Sequence, residues 1–255
     1  MSTAEYGAIV ALHRGLARLG PGDDGTSDEI LATLPQVPSG ARIADLGCGT
    51  GAGALLLARR FPTARIIAID AEQGFLDDLH AEATRQGVQD RIELRCADIA
   101  APGLPPSTID VIWSEGAAYN IGFDAALAAW RPMLRAGGVA VISELSWFTE
   151  EPPAALRRYW EGEYPGMADE GTNVMRARNA GYEVLGVRRL PPRAWDENYY
   201  GPMSERLAAR TDDPALASVV RATREEMELH ARHHRAFGYA FYVLRAGPEA
   251  GSQDG

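Results

Sequence analysis

The 255-residue chain contains no lysine; all 25 of its basic residues are arginine. That absence removes Schiff-base chemistry, a lysine general base and the lysine of a triphosphate-binding loop. Cysteine is nearly missing too: Cys48 and Cys96 stand far apart, and neither belongs to a CxxC pair. A disulfide framework and a thiolate metal site are therefore not expected, and a reducing cytoplasm is the expected location. No apolar run approaches the roughly 18 residues that span a bilayer. The opening "MSTAEYGAIV" lacks the basic start and apolar core of a secretory signal. No membrane partner is expected. Net positive charge is absent as well: the formal charge is −10, and pairs such as Arg59/Arg60 and Arg188/Arg189 are scattered among acids. Nucleic-acid binders concentrate basic residues on one face, so a nucleic-acid partner is not expected.

What is present is an ordinary globular composition, 46% apolar and 24% charged. Residues 4–19 read as an amphipathic helix, and Thr26 with Glu29 forms a capping-box signature for a second one. From Ala41 to Leu145 short apolar runs alternate with helical stretches: strands at 42–47, 65–70, 91–98, 108–115 and 138–145, helices at 53–61, 74–87 and 124–138. That alternation predicts an α/β fold, a Rossmann-like doubly wound and mostly parallel sheet. After Ser146 the pattern becomes aromatic and irregular, as in an insertion. It then resumes with a strand at 182–190, helices at 203–211 and about 213–236, and a last strand at 238–246. The expected organisation is an N-terminal helical cap (1–40), an α/β core (41–146), a lid-like aromatic insertion (147–180), completion of the sheet (181–246) and a disordered tail (247–255).

The most informative stretch is "RIADLGCGTGAG", residues 42–53, with glycines at 47, 49, 51 and 53. Gly47, Gly49 and Ala52 satisfy the bare dinucleotide fingerprint. Asp45, however, sits at the strand end where that fold wants an apolar residue, and no Walker lysine follows. A turn this tight lets backbone amides and a short carboxylate approach a compact zwitterion such as an amino-acid group. Asp70 ends the second strand, where a carboxylate can take ribose hydroxyls. Asp98 ends the third, and Ile99 beside it offers an apolar wall to an adenine.

With "DLGCGTG", Asp70, Asp98-Ile99 and "LRAGG" at these spacings, the chain from Arg42 to Glu144 resembles the class I S-adenosylmethionine-dependent methyltransferases of small-molecule type. The resemblance implies a seven-stranded sheet whose last strand, "GYAFYVLRA", runs antiparallel. It implies S-adenosyl-L-methionine as cofactor. Asp45, Gly47, Gly49 and Gly51 would lie at its methionine end with Cys48 in the same turn, Asp70 with Ala71 at the ribose, and Asp98 with Ile99 at the adenine. The implied activity is methyl transfer to an O, N or activated C atom of a small molecule. Alternatives are S-adenosylmethionine binding for another transfer or a regulatory role, and NAD-dependent oxidoreduction.

Substrate-facing residues of that family follow the fourth strand, here "WSEGAAYNIGFD". Glu115 is a candidate catalytic base or cofactor contact, and Tyr119 a candidate to touch substrate. His230 and His234 near the end of a helix, and Trp147 at the start of the insertion, are further substrate candidates. The histidines lack an HExxH pattern or a cysteine partner, so no metal is expected. A homodimer stays open.

Overall fold

In the computed structural model, residues 3–209 and 216–247 are described. The apolar runs of the first half form β1 (Arg42–Leu46), β2 (Arg65–Asp70), β3 (Ile92–Cys96), β4 (Ile109–Ser114) and β5 (Leu134–Trp147). They pair in parallel in the order β3-β2-β1-β4-β5. β7 (Tyr182–Arg189) and β8 (Phe237–Ala246) extend this edge, with β8 antiparallel to both β5 and β7. A two-residue strand, β6 (Ala168–Asp169), pairs beside the end of β5. Among the described residues the sheet thus has eight strands, the seven expected plus this short one.

Crossover helices α3 (Ala52–Arg60), α4 (Gln73–Arg85) and α5 (Phe123–Trp130) connect the parallel strands. Strand side chains alternate between two faces. Ile43, Ile66, Val111 and Val141 pack toward α3 and α4, while Ala44, Ile67, Ile112 and Ile142 pack toward α5. By the same period of two, Asp45 falls on the Ile43 face, directly under the start of α3. Trp113, Trp130 and Phe241 are fully buried. Each such large side chain stabilises the fold by a few kcal/mol, on the order of 1.5–3.

The remaining helices gather over one end of the sheet. α1 (Thr3–His13) stops six residues before the sequence pattern predicts, because Gly15 takes a left-handed φ of 72° and turns the chain. Leu12 and Leu16 then pack against Met203 and Leu207 of α9 (Gly201–Ala208) and against Val220 of α10 (Ala217–His233). α8 (Arg193–Trp195) runs through a π-helical turn, Asp196–Tyr200, into α9. The insertion folds as α6 (Ala154–Glu163), β6 and α7 (Glu170–Asn179), and its Leu156, Trp160 and Tyr164 are buried in the main core. No helix among the described residues is long and apolar enough to cross a membrane. The expected disordered tail, save Gly247, and residues 210–211 and 213–215 of the two expected late helices lie outside the described residues.

α2 (Asp24–Thr33) begins earlier than the capping box suggests. Asp23, not Thr26, is the N-cap: its Oδ1 accepts from the Thr26 amide at 2.8 Å and from the Thr26 hydroxyl at 2.7 Å. Both Asp23 oxygens also accept from Arg193, each at 2.8 Å, so the cap doubles as a clamp onto α8. The Arg193 bonds and the cap hold this carboxyl well below the usual carboxylate range. Asp23→Ala is therefore expected to destabilise the protein by about 1–2 kcal/mol at pH 7. A depressed folded-state pKa stabilises above the unfolded value and loses its effect below it. The difference between variant and parent should thus shrink as pH falls below about 4, measured by urea denaturation across pH.

Candidate active site

The order β3-β2-β1-β4-β5 reverses direction between β1 and β4, and open α/β sheets bind ligands in the crevice that such a reversal leaves at the carboxyl ends. A cavity of about 1100 Å³ lies there. Asp45 of β1, Asp70 of β2, Asp98 after β3 and Glu115 after β4 all line it, as do Gly47, Cys48, Gly49, Ala71, Ile99 and Tyr119. Four strand-end acids from successive strands thus open into one space. Gly51 is not in that wall; it starts α3 and faces Leu79 of α4. Gly47 holds a φ of 76°, and a Cβ there would come within 2.2 Å of the Ala117 Cβ, so the β1 and β4 loops approach because this residue has no side chain.

The acids differ in environment. Asp45 is 2% exposed, and its Oδ2 has no hydrogen-bond partner. Burial, reinforced by the neighbouring Glu115 and Asp70 charges, pushes its pKa up to about 8. Asp70 accepts from the Gly49 amide at 2.9 Å through Oδ2 and from the Glu72 amide at 3.0 Å through Oδ1. Burial raises its pKa, against the pull of those backbone donors. Each oxygen retains a lone pair for a ligand hydroxyl. Asp98 Oδ1 takes the Ala100 amide at 2.8 Å, and Ile99 beside it is buried.

Glu115 is gripped from the N-terminal segment. Its Oε1 accepts from Arg18 Nη1 at 3.0 Å, and the two side chains are only 9% and 11% exposed. Its Oε2 is buried without a partner. Burial raises the Glu115 pKa while Arg18 opposes the rise. Burial works against the Arg18 charge as well, but Glu115 and Asp24 outweigh it. Arg18 reaches the cavity because the chain after α1 crosses its mouth. The Leu16 carbonyl accepts from the Thr50 hydroxyl at 2.8 Å, and Arg14 makes a two-pronged bond to Asp78 at 2.9 and 2.7 Å.

The far end of the cavity is walled by helices. His13 of α1, Tyr159 and Glu163 of α6, Tyr199 of the π-helical turn and Glu226 of α10 line it. His13 donates from Nδ1 to the Ile9 carbonyl at 2.8 Å, which leaves Nε2 as the lone-pair nitrogen, 3.4 Å from the Tyr199 hydroxyl. Burial lowers the His13 pKa, so the ring is neutral at pH 7. Tyr119 projects into the cavity, and desolvation pushes its phenol up to about 12.

Trp147, His230 and His234 are not brought to this cavity. Trp147 ends β5 opposite Phe237 of β8. His230 is 2% exposed and stacks on Trp195 with ring centroids 4.5 Å apart. That burial lowers its pKa to about 4 despite Asp196 nearby. His234 follows α10, one turn farther from the cavity, with its ring 6.1 Å from that of His230. Arg18, His13 and Glu226 had no sequence signal of their own, since none stands in a motif.

A methyltransferase-domain family profile matches residues 43–138. Trans-aconitate 2-methyltransferase of Variovorax paradoxus is 30% identical over 188 residues, covering 71% of this chain and 70% of that protein. Malonyl-[acyl-carrier protein] O-methyltransferase of Laribacter hongkongensis is 32% identical over 164 residues, 59% of this chain and 54% of that one. Among solved structures, YjhP of E. coli superposes with a TM-score of 0.77 at 22% identity, over 94% of this chain and 99% of that one.

The raised Asp45 pKa has a consequence for stability. The folded state holds a proton on Asp45 that the unfolded chain releases near pH 4, so stability falls as pH rises from about 4 to about 8. Asp45→Asn keeps the shape and removes the titration. The ligand-free variant should gain on the parent by about 1 kcal/mol at pH 5 and by several, at most about 5 kcal/mol, above pH 8. Thermal melting across pH checks this.

Proposed function

The chain belongs to the class I S-adenosylmethionine-dependent methyltransferases, and on that premise we propose how its residues divide the work of transferring a methyl group to a small molecule. The observation that carries this reading is the convergence of Asp45, Asp70, Asp98 and Glu115 on one cavity. The two unpartnered carboxylate oxygens, Asp45 Oδ2 and Glu115 Oε2, fit an ammonium group, and the buried Arg18 guanidinium beside them fits a carboxylate. Together they suit the zwitterionic end of S-adenosylmethionine. Asp70 suits the ribose hydroxyls, and Asp98 with Ile99 the adenine.

When bound, the cofactor supplies an electrophilic methyl group on a sulfonium. The chain's own residues supply placement, which is worth about 7–11 kcal/mol of the barrier at best. The Arg14–Gly22 strap excludes water from the mouth. Tyr119, held as a neutral phenol, orients the acceptor. His13 is preset to take a proton at Nε2, because Nδ1 is committed to the Ile9 carbonyl. Glu115 is placed as an anchor through its Arg18 pair, rather than as the base.

Calorimetric titration with S-adenosylhomocysteine tests the cradle; well-folded protein that shows no binding would refute the reading. Glu115→Gln should weaken that binding by about 10- to 100-fold, the worth of hydrogen bonds to a charged group, and unchanged affinity would remove Glu115 from the cradle. His13→Phe should leave S-adenosylhomocysteine affinity intact. It should lower turnover of labelled methyl groups by about 100-fold or more, as for loss of a general base; equal turnover would show that the imidazole is dispensable.

A further inference from the structure

The cavity is larger than the roughly 300–1,000 Å³ typical of a single ligand site, and its two ends differ in character. The end beneath the glycine turn is built from strand termini. The other end is built from helices and offers tyrosine rings and carboxylates: Tyr119, Tyr159 and Tyr199 around Glu226, with Glu163 at the end of α6. Glu226 Oε1 accepts from the Tyr200 hydroxyl at 2.8 Å, which fixes the carboxylate in place. The Tyr119, Tyr159 and Tyr199 phenols all lie within the field of that carboxylate, which together with their own burial raises their pKa values.

The basic groups contrast with this. Among the described residues that line the cavity only Arg18 and His13 are basic. Arg18 already pairs with Glu115 and Asp24 and is the group given above to the cofactor carboxylate, and burial lowers the His13 pKa, which favours its neutral ring. No cation is left to neutralise a second carboxylic acid, whereas Glu163 and Glu226 would oppose one. Like charges brought together in a desolvated pocket reject a ligand strongly. A carboxylate with tyrosine rings nearby instead suits a cationic nitrogen, by ion pairing and by attraction to the ring quadrupoles.

Resting on the methyltransferase reading above, we propose that the acceptor of this enzyme is a small-molecule amine, bound as its cation between the Glu226 carboxylate and the rings of Tyr119, Tyr159 and Tyr199. The bound cation gives up one N–H proton to His13 Nε2, so that the freed nitrogen lone pair takes the methyl as the sulfonium carbon–sulfur bond breaks and the neutral thioether leaves. This separates the chain from relatives named for trans-aconitate, a tricarboxylate, and for a malonyl thioester.

The test is binding, not turnover. The full chain is saturated with S-adenosylhomocysteine and titrated calorimetrically with phenethylamine and benzyltrimethylammonium as cationic probes, and with 3-phenylpropionate and citrate as anionic ones. The cations should bind at least tenfold more tightly than the anions. Glu226→Gln, which retains an acceptor for Tyr200, should weaken cation binding about tenfold while leaving S-adenosylhomocysteine affinity unchanged. Glu163→Gln, on a more exposed residue, should weaken it about two- to threefold. Anions binding as tightly as cations, no saturable binding of either cation, or cation affinity indifferent to both substitutions would overturn the amine assignment while the cofactor reading stands. Absence of S-adenosylhomocysteine binding would overturn both.

Discussion

The structure turns on one costly arrangement: a carboxylate, Asp45, buried at the end of the first strand with two further carboxylates close enough to raise its pKa. An isolated ionised carboxylate in a protein interior is expensive enough that the group neutralises instead, and Asp45 does so. Nothing in the strand requires an acid there, since Ile43 on the same face packs into the core as an ordinary apolar residue. The acid is tolerated because the strand order reverses beside it and the crevice opens above it. The same reversal gives Asp70 and Glu115 their places, so topology concentrates negative charge at one point. A ligand carrying an ammonium group relieves that strain, and affinity and stability are therefore set against each other at Asp45.

Closure of the site depends on interactions of unequal strength. The Arg14–Asp78 pair is partly exposed, and pairs of that kind contribute at most about 1 kcal/mol. Leu12 and Leu16 are buried against α9 and α10, and each is worth on the order of 1.5–3 kcal/mol. The strap is thus anchored by apolar contact at its α1 end and positioned by Arg18 over the cavity. Gly22 is where the two meet. A Cβ there would lie 2.0 Å from Arg18 Nη1 and 2.3 Å from Glu115 Oε1, so the ion pair occupies the space that a side chain would take.

The sheet was legible in the sequence because strand periodicity and strand-end chemistry are local. Asp70 ends its strand, Asp98 lies just beyond the next and Asp45 stands one residue before the end of the first, and parallel pairing brings such ends to the same edge. Helix faces are legible only as apolar or polar, not as to what they meet. The pattern of residues 4–19 indicates a buried stripe but not that Gly15 ends the helix and sends Arg18 across the site. Helix α10 shows the same limit. It does border the cavity, as its place before the last strand suggests, but through Ser218 to Glu226. His230 lies one turn beyond Glu226 on the same face, where the cavity has ended and Trp195 fills the space. The Thr26–Glu29 signature failed for a related reason. Asp23 had a second partner, Arg193, distant in sequence, and that clamp fixed the cap.

This division also explains what similarity to other proteins can and cannot carry over. The matched domain, residues 43–138, contains every strand-end acid of the cradle and none of the helical wall at the far end of the cavity except Tyr119 and its neighbours. On the proposed reading these acids meet the ammonium, ribose and adenine of one fixed cofactor, which leaves little freedom in their residue types. The far wall, which the same reading gives to the acceptor, is assembled from α1, α6, α10 and a π-helical turn, elements outside the sheet. π-Helical turns are rare and frequent at functional sites, and this one presents Tyr199 to the cavity while Tyr200 holds Glu226. On the amine reading, acceptor choice follows from the ionisable groups of that wall: Arg18 is already paired, burial favours the neutral His13 ring, and what remains are the Glu163 and Glu226 carboxyls, the second with its pKa raised by burial against the Tyr200 hydrogen bond.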